Sequence, residues 1–184
     1  MDSREEHIIN TAFTLFYQHG YRKVSMSDIA GASQMSRPTL YAAFDNKEAI
    51  FAALVSRQRA RNEVATGQRL PGATGLPAQL ACLFDIWVLE PAASVMDSPN
   101  GIDMMANCAT YAAGALADMY ASLEAHLAAA LAAAMRDRQA MGAADMAYIL
   151  RVATTGIKAS ADNLPDLRRV VAGMITMAVA TVQG

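Results

Sequence analysis

The chain has 184 residues, 54% of them apolar and 17% charged, with a formal charge of −2. Thirty-nine residues are alanine, the best helix former, and larger apolar residues make up about a third of the chain, enough for one or two modest cores. This balance excludes a disordered chain, and 11 Gly and two Cys exclude collagen-like and disulfide-stapled classes. An all-α protein is expected.

The uncharged stretches Met104–Ala117 and Val170–Gly184 fall short of the roughly 20 apolar residues that span a bilayer, so no membrane partner is expected. Met1-Asp2-Ser3-Arg4-Glu5-Glu6 is mixed in charge and leads into an amphipathic pattern, unlike a secretory signal. Two cysteines do not call for an oxidising compartment, and a cytoplasmic protein is expected. Charge is uneven along the chain. Residues 1–61 carry eight Lys/Arg against six Asp/Glu, whereas 62–184 carry seven against eleven. A basic head joined to an acidic body fits a polyanion-binding module attached to a second domain.

In chain order, Ile8, Ile9, Ala12, Phe13 and Phe16 recur at helical spacing and Gly20 closes that segment. Ser25-Met26-Ser27-Asp28 reads as a capping box opening a short helix through Ile29, Ala30 and Ala32. After a turn at Ser33-Gln34-Met35, Ser36 caps a third helix that holds Pro38 in its first turn. Leu40 and Phe44, four apart, face the core together with Ile29, Phe13 and Phe16. Asp45 or Asn46 caps a fourth helix towards Arg61.

The stretch Gly67–Pro77, with three glycines and two prolines, is expected as the loop between two regions. A helix from Ala78 to Glu90 precedes breaks around Pro91 and at Ser98-Pro99-Asn100-Gly101. Further helices are expected from Met104 to about Tyr111, from about Ala115 to Gln139, from Ala143 to Ser160, and from Asn163-Leu164-Pro165-Asp166 to near Val182.

Two short helices joined by a tight turn and packed by an N-terminal helix follow the helix-turn-helix plan, whose second short helix enters the major groove. At 100° per residue, Leu40 and Phe44 point inward, Pro38 and Ala42 lie opposite, and Thr39 and Tyr41 flank them. The stretch Ile8–Val55 resembles the DNA-binding domain of the TetR (tetracycline repressor) family. The resemblance is carried by Ala12…Phe16…Gly20-Tyr21, Ser25…Asp28-Ile29-Ala30, Ser36-Arg37-Pro38-Thr39-Leu40-Tyr41…Phe44 and Asn46-Lys47-Glu48. It implies a helix-turn-helix domain over 1–61 and a helical effector-binding and dimerisation domain over 62–184.

The resemblance gives Arg37 and Thr39 contacts to bases or phosphates, and Tyr41 a phosphate contact through its hydroxyl. Pro38 would pack on a thymine methyl. Ser25 and Ser27 at the start of the supporting helix, Ser36 as a cap with DNA contact, and Lys47 at the fourth helix would hold phosphate. Two features depart from the family. Gln34-Met35 stands where the turn usually has Gly-Val, and Ala43 stands where a His or Tyr usually precedes the phenylalanine.

The resemblance further implies a regulator, expected to be a repressor, released from a near-palindromic double-stranded DNA operator by a small-molecule effector. Phe84, Trp87, Met104, Met105, Cys108 and Tyr111 cluster around the breaks near Pro91 and Pro99. With Tyr120 and His126 they would line a site for an apolar or aromatic effector, Asn107, Tyr111 and His126 being its polar anchors. The same residues also read as plain core. Gly156, Ala159, Gly173, Ala178 and Ala180 among Ile157, Val170, Val171, Ile175, Met177 and Val179 suit close helix packing in a homodimer.

Two rival readings compete with this one. For an enzyme, His7, His19 and His126 are scattered, and neither a Glu-x-x-His pair nor a phosphate-cradling glycine loop occurs. No catalytic residue, metal ligand or cofactor is therefore expected. A thiol-based redox regulator would use Cys82 or Cys108, both in apolar sequence surroundings that raise a thiol's pKa.

Overall fold

The computed structural model describes residues 3–135, 141–161 and 163–183, and at 157–160 the backbone alone. The helices are α1 (Ser3–His19), α2 (Met26–Ala32), α3 (Arg37–Ala43), α4 (Lys47–Arg69), α5 (Gly75–Phe84), α6 (Glu90–Ala93), α7 (Pro99–Ala106), α8 (Cys108–Tyr111), α9 (Ala113–Ala134), α10 (Ala143–Ser160) and α11 (Leu164–Gln183). Single 3-10 turns occupy Tyr21–Lys23 and Leu70–Gly72, and a π turn, Asp85–Leu89, joins α5 to α6. The fold is all-α, with no strand among the described residues.

The chain forms two compact units, one of residues 1–58 with 95–118, the other of 59–94 with 119–184. Residues 95–118, expected to lie with the C-terminal region, thus pack with the N-terminal helices. A contact that distant in sequence leaves no local signature.

In the first unit the core gathers Ile8, Ile9, Ala12 and Phe16 of α1 with Tyr21, Ile29, Leu40, Ile50, Phe51 and Met104. Phe13 and Phe44, expected in this core, are only half-buried. Phe13 packs at the rim, its ring 6.1 Å from that of Tyr17. Phe44 lies just past the end of α3, where the backbone is already extended (φ −143°), so it no longer follows the helical spacing that placed it beside Leu40. Rings of Phe16, Tyr21, Phe51 and Tyr111 form one aromatic cluster, with Tyr21 stacked on Tyr111 at 3.8 Å.

In the second unit, α11 lies along α5 and the π turn, and α10 packs on α11. Its core includes Leu80, Leu83, Phe84, Ile86, Trp87, Val88, Leu123, Leu127, Leu131, Leu167 and Val171. The expected loop at 67–77 is shorter than its glycines and prolines implied. α4 runs on to Arg69, and α5 begins at Gly75, which takes a positive φ of 80°. Nor is Pro91 a break. Glu90 N–H donates to the carbonyl of Asp85, an i→i+5 bond, and this wider turn accommodates the missing donor and ring of Pro91 without ending the helix.

By length and composition the stretch Gly75–Ala93 is apolar enough to cross a membrane, at a mean hydropathy of 1.2. Asp85 and Glu90 interrupt it, so it does not read as an uncharged stretch. Half of it is buried inside the protein, and Glu90 is ion-paired with Arg69, as suits a core helix. α9 is described from Ala113 to Ala134, so its expected end at Gln139 lies outside the described residues, as do the side chains of Ile157 and Ala159.

Candidate nucleic-acid interface

The recognition geometry begins with caps. Ser25 Oγ accepts from Asp28 N at 3.2 Å, while Asp28 Oδ2 accepts from Ser25 N at 2.8 Å and from Ser25 Oγ at 2.7 Å. This is the expected capping box at the start of α2. These bonds hold the Asp28 carboxyl below its ordinary range. Ser36 repeats the logic for α3, its Oγ accepting from Thr39 N at 3.2 Å and lying 2.7 Å from Thr39 Oγ1. Asn46, not Asp45, caps α4 by accepting from Ala49 N at 2.8 Å.

Between α2 and α3 the turn closes without glycine. Gln34 adopts φ +55°, and the bonds Gln34 N→Gly31 O and Met35 N→Ala30 O form a Schellman motif. Ser33 is buried under this turn, its hydroxyl donating to Ile29 O at 2.6 Å. His7 Nε2 reaches Ser33 O at 3.3 Å, so α1 holds the turn from below.

Arg37, Pro38, Tyr41 and Ala42 are exposed on α3, and Thr39 is half-buried. Leu40 is fully buried. The face arithmetic thus holds within α3, Phe44 beyond its end excepted, and the helix presents a guanidinium, a hydroxyphenyl ring and small groups to solvent. Ser36 is exposed and Ser27 half-buried. Lys47 is placed differently from a free phosphate ligand. Its ammonium donates to the carbonyls of Tyr21 (3.0 Å) and Val24 (3.1 Å) and sits 4.4 Å over the Tyr21 ring. It ties the start of α4 to the loop entering α2.

The residues expected to line an effector site divide between the two units. In the second, Phe84 and Trp87 are buried. Trp87 Nε1 donates to Thr66 Oγ1 at 2.9 Å, and the Trp87 ring lies 5.7 Å from that of His126. His126 Nε2 is 2.8 Å from Glu63 Oε2. Partial burial pushes the Glu63 carboxyl up, but hydrogen bonds from His126 and Ser122 and the charges of His126 and Arg59 outweigh it, leaving Glu63 below the ordinary range.

In the first unit, Met104 is buried and Cys108 half-buried. Asn107 Nδ2 spends its hydrogens on Asp103 O and Oδ1, both at 2.9 Å. Tyr111 belongs to the aromatic cluster, and its hydroxyl beside Arg22 raises that guanidinium's pKa. Glu63, Thr66, Tyr17, Asp97 and Asn100 make polar contacts that sequence reasoning passed over. Each is satisfied by a partner at least twenty positions away, beyond any local pattern.

Two short capped helices, a tight turn and a supporting α1 define a helix-turn-helix protein. Residues 8–54 match the family model described as bacterial regulatory proteins, tetR family. The HTH-type transcriptional repressor ComR of Escherichia coli (strain K12) is 31% identical over 140 residues, covering 73% of this chain and 64% of that protein. The chain thus spans just under two thirds of the length of this curated relative. Among solved structures, the fatty acid degradation regulator FadR from Bacillus halodurans superposes with a TM-score of 0.73 at 15% identity, covering 97% of this chain and 95% of that one. A TetR transcription regulator from Haloarcula marismortui does so with a TM-score of 0.73 at 18% identity, covering 99% and 100%. Residues 8–54 thus carry the domain of the tetR family of bacterial regulatory proteins, and the chain shares the fold of the solved regulators.

Proposed function

We propose that this chain is a DNA-binding transcriptional repressor that acts in the cytoplasm as a homodimer on a near-palindromic operator and is released by a small apolar or aromatic effector. The observation that carries the DNA-binding part is the exposed face of α3, where Arg37, Pro38, Tyr41 and Ala42 remain uncovered while Leu40 anchors the helix from behind. Arg37 is suited to bidentate base contact and Pro38 to a thymine methyl, with Thr39 held by Ser36. Tyr41, Ser25, Ser27 and Ser36 serve phosphates, which fix register. Lys47 contributes by holding the α1–α2 link. The DNA-contacting residues lie within 1–61 and the effector-binding residues within 62–184.

A dimer supplies two recognition helices, since one short helix reads too few bases. Tyr148, Ile149 and Val152 on α10 and Met177 on α11 are exposed apolar groups available for that contact. For the effector, Phe84, Trp87 and His126 make the coherent group, close to the π turn. An effector that binds one conformation better than the other shifts the operator equilibrium by that difference.

The test is titration of purified full-length chain against duplex DNA from the promoter nearest its own gene. Arg37→Ala is expected to weaken binding by about 1–3 kcal/mol, and unchanged affinity overturns the recognition-helix assignment. Trp87, the single tryptophan, gives a fluorescence readout for effector candidates.

A further inference from the structure

Within the first unit, α7 docks on the C-terminal end of α1. The last carbonyls of a helix have no donors ahead of them and are commonly satisfied by a local glycine cap. Here Gly20 N reaches Phe16 O at 2.9 Å, but Gly20 has φ +86° and ψ 140°, which turns the chain away rather than closing the helix. The carbonyls of Tyr17 and Gln18 are instead capped by Asn100, whose Nδ2 donates to them at 3.1 and 3.0 Å. Ser98 Oγ adds a longer bond to Tyr17 O, 3.4 Å. The Tyr17 hydroxyl donates to Asp97 Oδ1 at 2.5 Å. Gly101 lets this segment fold tightly, for a Cβ there would stand 2.2 Å from the carbonyl oxygen of Val95.

The backbone leaving Gly20 is the link into the helix-turn-helix. Tyr21 is buried, stacked on Tyr111 and hydrogen-bonded through its hydroxyl to Glu48 Oε1 at 3.0 Å. The carbonyls of Tyr21 and Val24 hold Lys47, and Ser25 caps α2 immediately afterwards. α2 carries α3 through the rigid Schellman turn. The direction in which α1 releases the chain therefore sets the pose of Arg37.

We propose that Asn100 is a positioning residue for the DNA-reading face, so that the reader is completed by residues 95–111 and is not the N-terminal segment alone. This rests on the DNA-binding reading above. Asn100 touches no base; it fixes where α1 ends.

The test compares the full-length chain with Asn100→Asp, which keeps the shape but loses the amide donor, and with Tyr17→Phe, which removes only the bond to Asp97. Ser94→Ala, whose hydroxyl bonds Pro91 O nearby, is the control. A duplex selected by the wild-type chain from a random library serves as probe. Asn100→Asp is expected to weaken binding about five- to twentyfold at a temperature where circular dichroism shows it folded, in line with the loss of two hydrogen bonds that fix the end of α1. It should also flatten the dependence of log affinity on log salt by about one phosphate contact and speed amide exchange at residues 17–25. A mere loss of folded population lowers affinity without changing that slope. Tyr17→Phe should weaken binding about two- to fivefold in the same direction, and Ser94→Ala should stay within about twofold.

DNA affinity and salt slope unchanged in both Asn100→Asp and Tyr17→Phe overturn the assignment. If Asn100→Asp does not fold, Tyr17→Phe decides alone. A wild-type chain that selects no duplex overturns the DNA-reading function itself, a distinct failure that takes this assignment with it.

Discussion

Gly20→Ala probes the junction between α1 and the reader with a single methyl group. Gly20 has φ +86° with ψ 140°, a region closed to side chains and worth about 1–3 kcal/mol of strain when one is forced there. The new Cβ would also lie 3.1 Å from Asn100 Oδ1. Asn100 must then retreat by a few tenths of an ångström, loosening its two bonds to α1, each worth about 1 kcal/mol. Against this, the stiffer unfolded chain returns roughly 0.4–1 kcal/mol. The net expectation is a loss of about 2–3 kcal/mol, or a urea midpoint lower by roughly 1–1.5 M for a slope near 2 kcal/mol/M. Gly31→Ala is the control, because Gly31 lies in α2 with nothing within 4 Å of the position a methyl group would take, and alanine there should stabilise by about 0.5–1 kcal/mol. Denaturation followed by circular dichroism distinguishes the two. A Gly20→Ala midpoint equal to that of wild type, or raised like Gly31→Ala, refutes the argument.

Gln34→Gly should raise the melting temperature, releasing about 1 kcal/mol of left-handed backbone strain at φ +55°. Lys47→Met should cost about 2–3 kcal/mol in urea denaturation, since the charged bonds to the Tyr21 and Val24 carbonyls are lost together. Trp87→Phe strands the buried Thr66 hydroxyl and should cost about 1–3 kcal/mol by the same assay. Because the folded-state pKa of Glu63 is lowered, its contribution to stability is complete above the ordinary carboxylate range and lost as pH falls through the lowered value. Glu63→Gln should accordingly flatten the acid limb of the stability profile below about pH 5, and an unaltered limb would count against the Glu63–His126 pairing.

Much of the reader was legible because its signals are local. The Ser25–Asp28 box and the Ser36–Thr39 cap are contacts three residues apart, and the separation of Leu40 from Pro38 and Ala42 follows from helical spacing alone. Phe44 escaped because spacing arguments assume the helix continues through the residue, and here it stops at Ala43. The turn at Gln34 was visible as a missing glycine, but the Schellman bonds that compensate were not. The candidate effector residues fared less evenly. Phe84 and Trp87 were marked by size and are buried, whereas Asn107 is occupied within its own helix by Asp103, an i,i+4 pairing the spacing did contain. The role of Lys47 and the cap from Asn100 depend on contacts across 23 and 83 positions, where only the folded chain brings the partners together.

The π turn at Asp85–Leu89 has a consequence for how this chain tolerates changes in length. Such a turn is an α-helix carrying one residue too many, so side chains beyond it stand roughly 100° away from where unbroken helical counting would put them. The rod from Gly75 to Ala93 accordingly buries Leu76, Leu80 and Leu83 along one stripe, then Ile86 through Leu89 without interruption. Deleting any one residue from 85–89 would restore regular α-helix and leave Ala92 facing the core, but it would drive the ring of Pro91 against the carbonyl four residues earlier. Within the π turn a one-residue deletion therefore keeps the buried faces on either side aligned, whereas in the regular helix before it the same deletion rotates the two faces apart by about 100°.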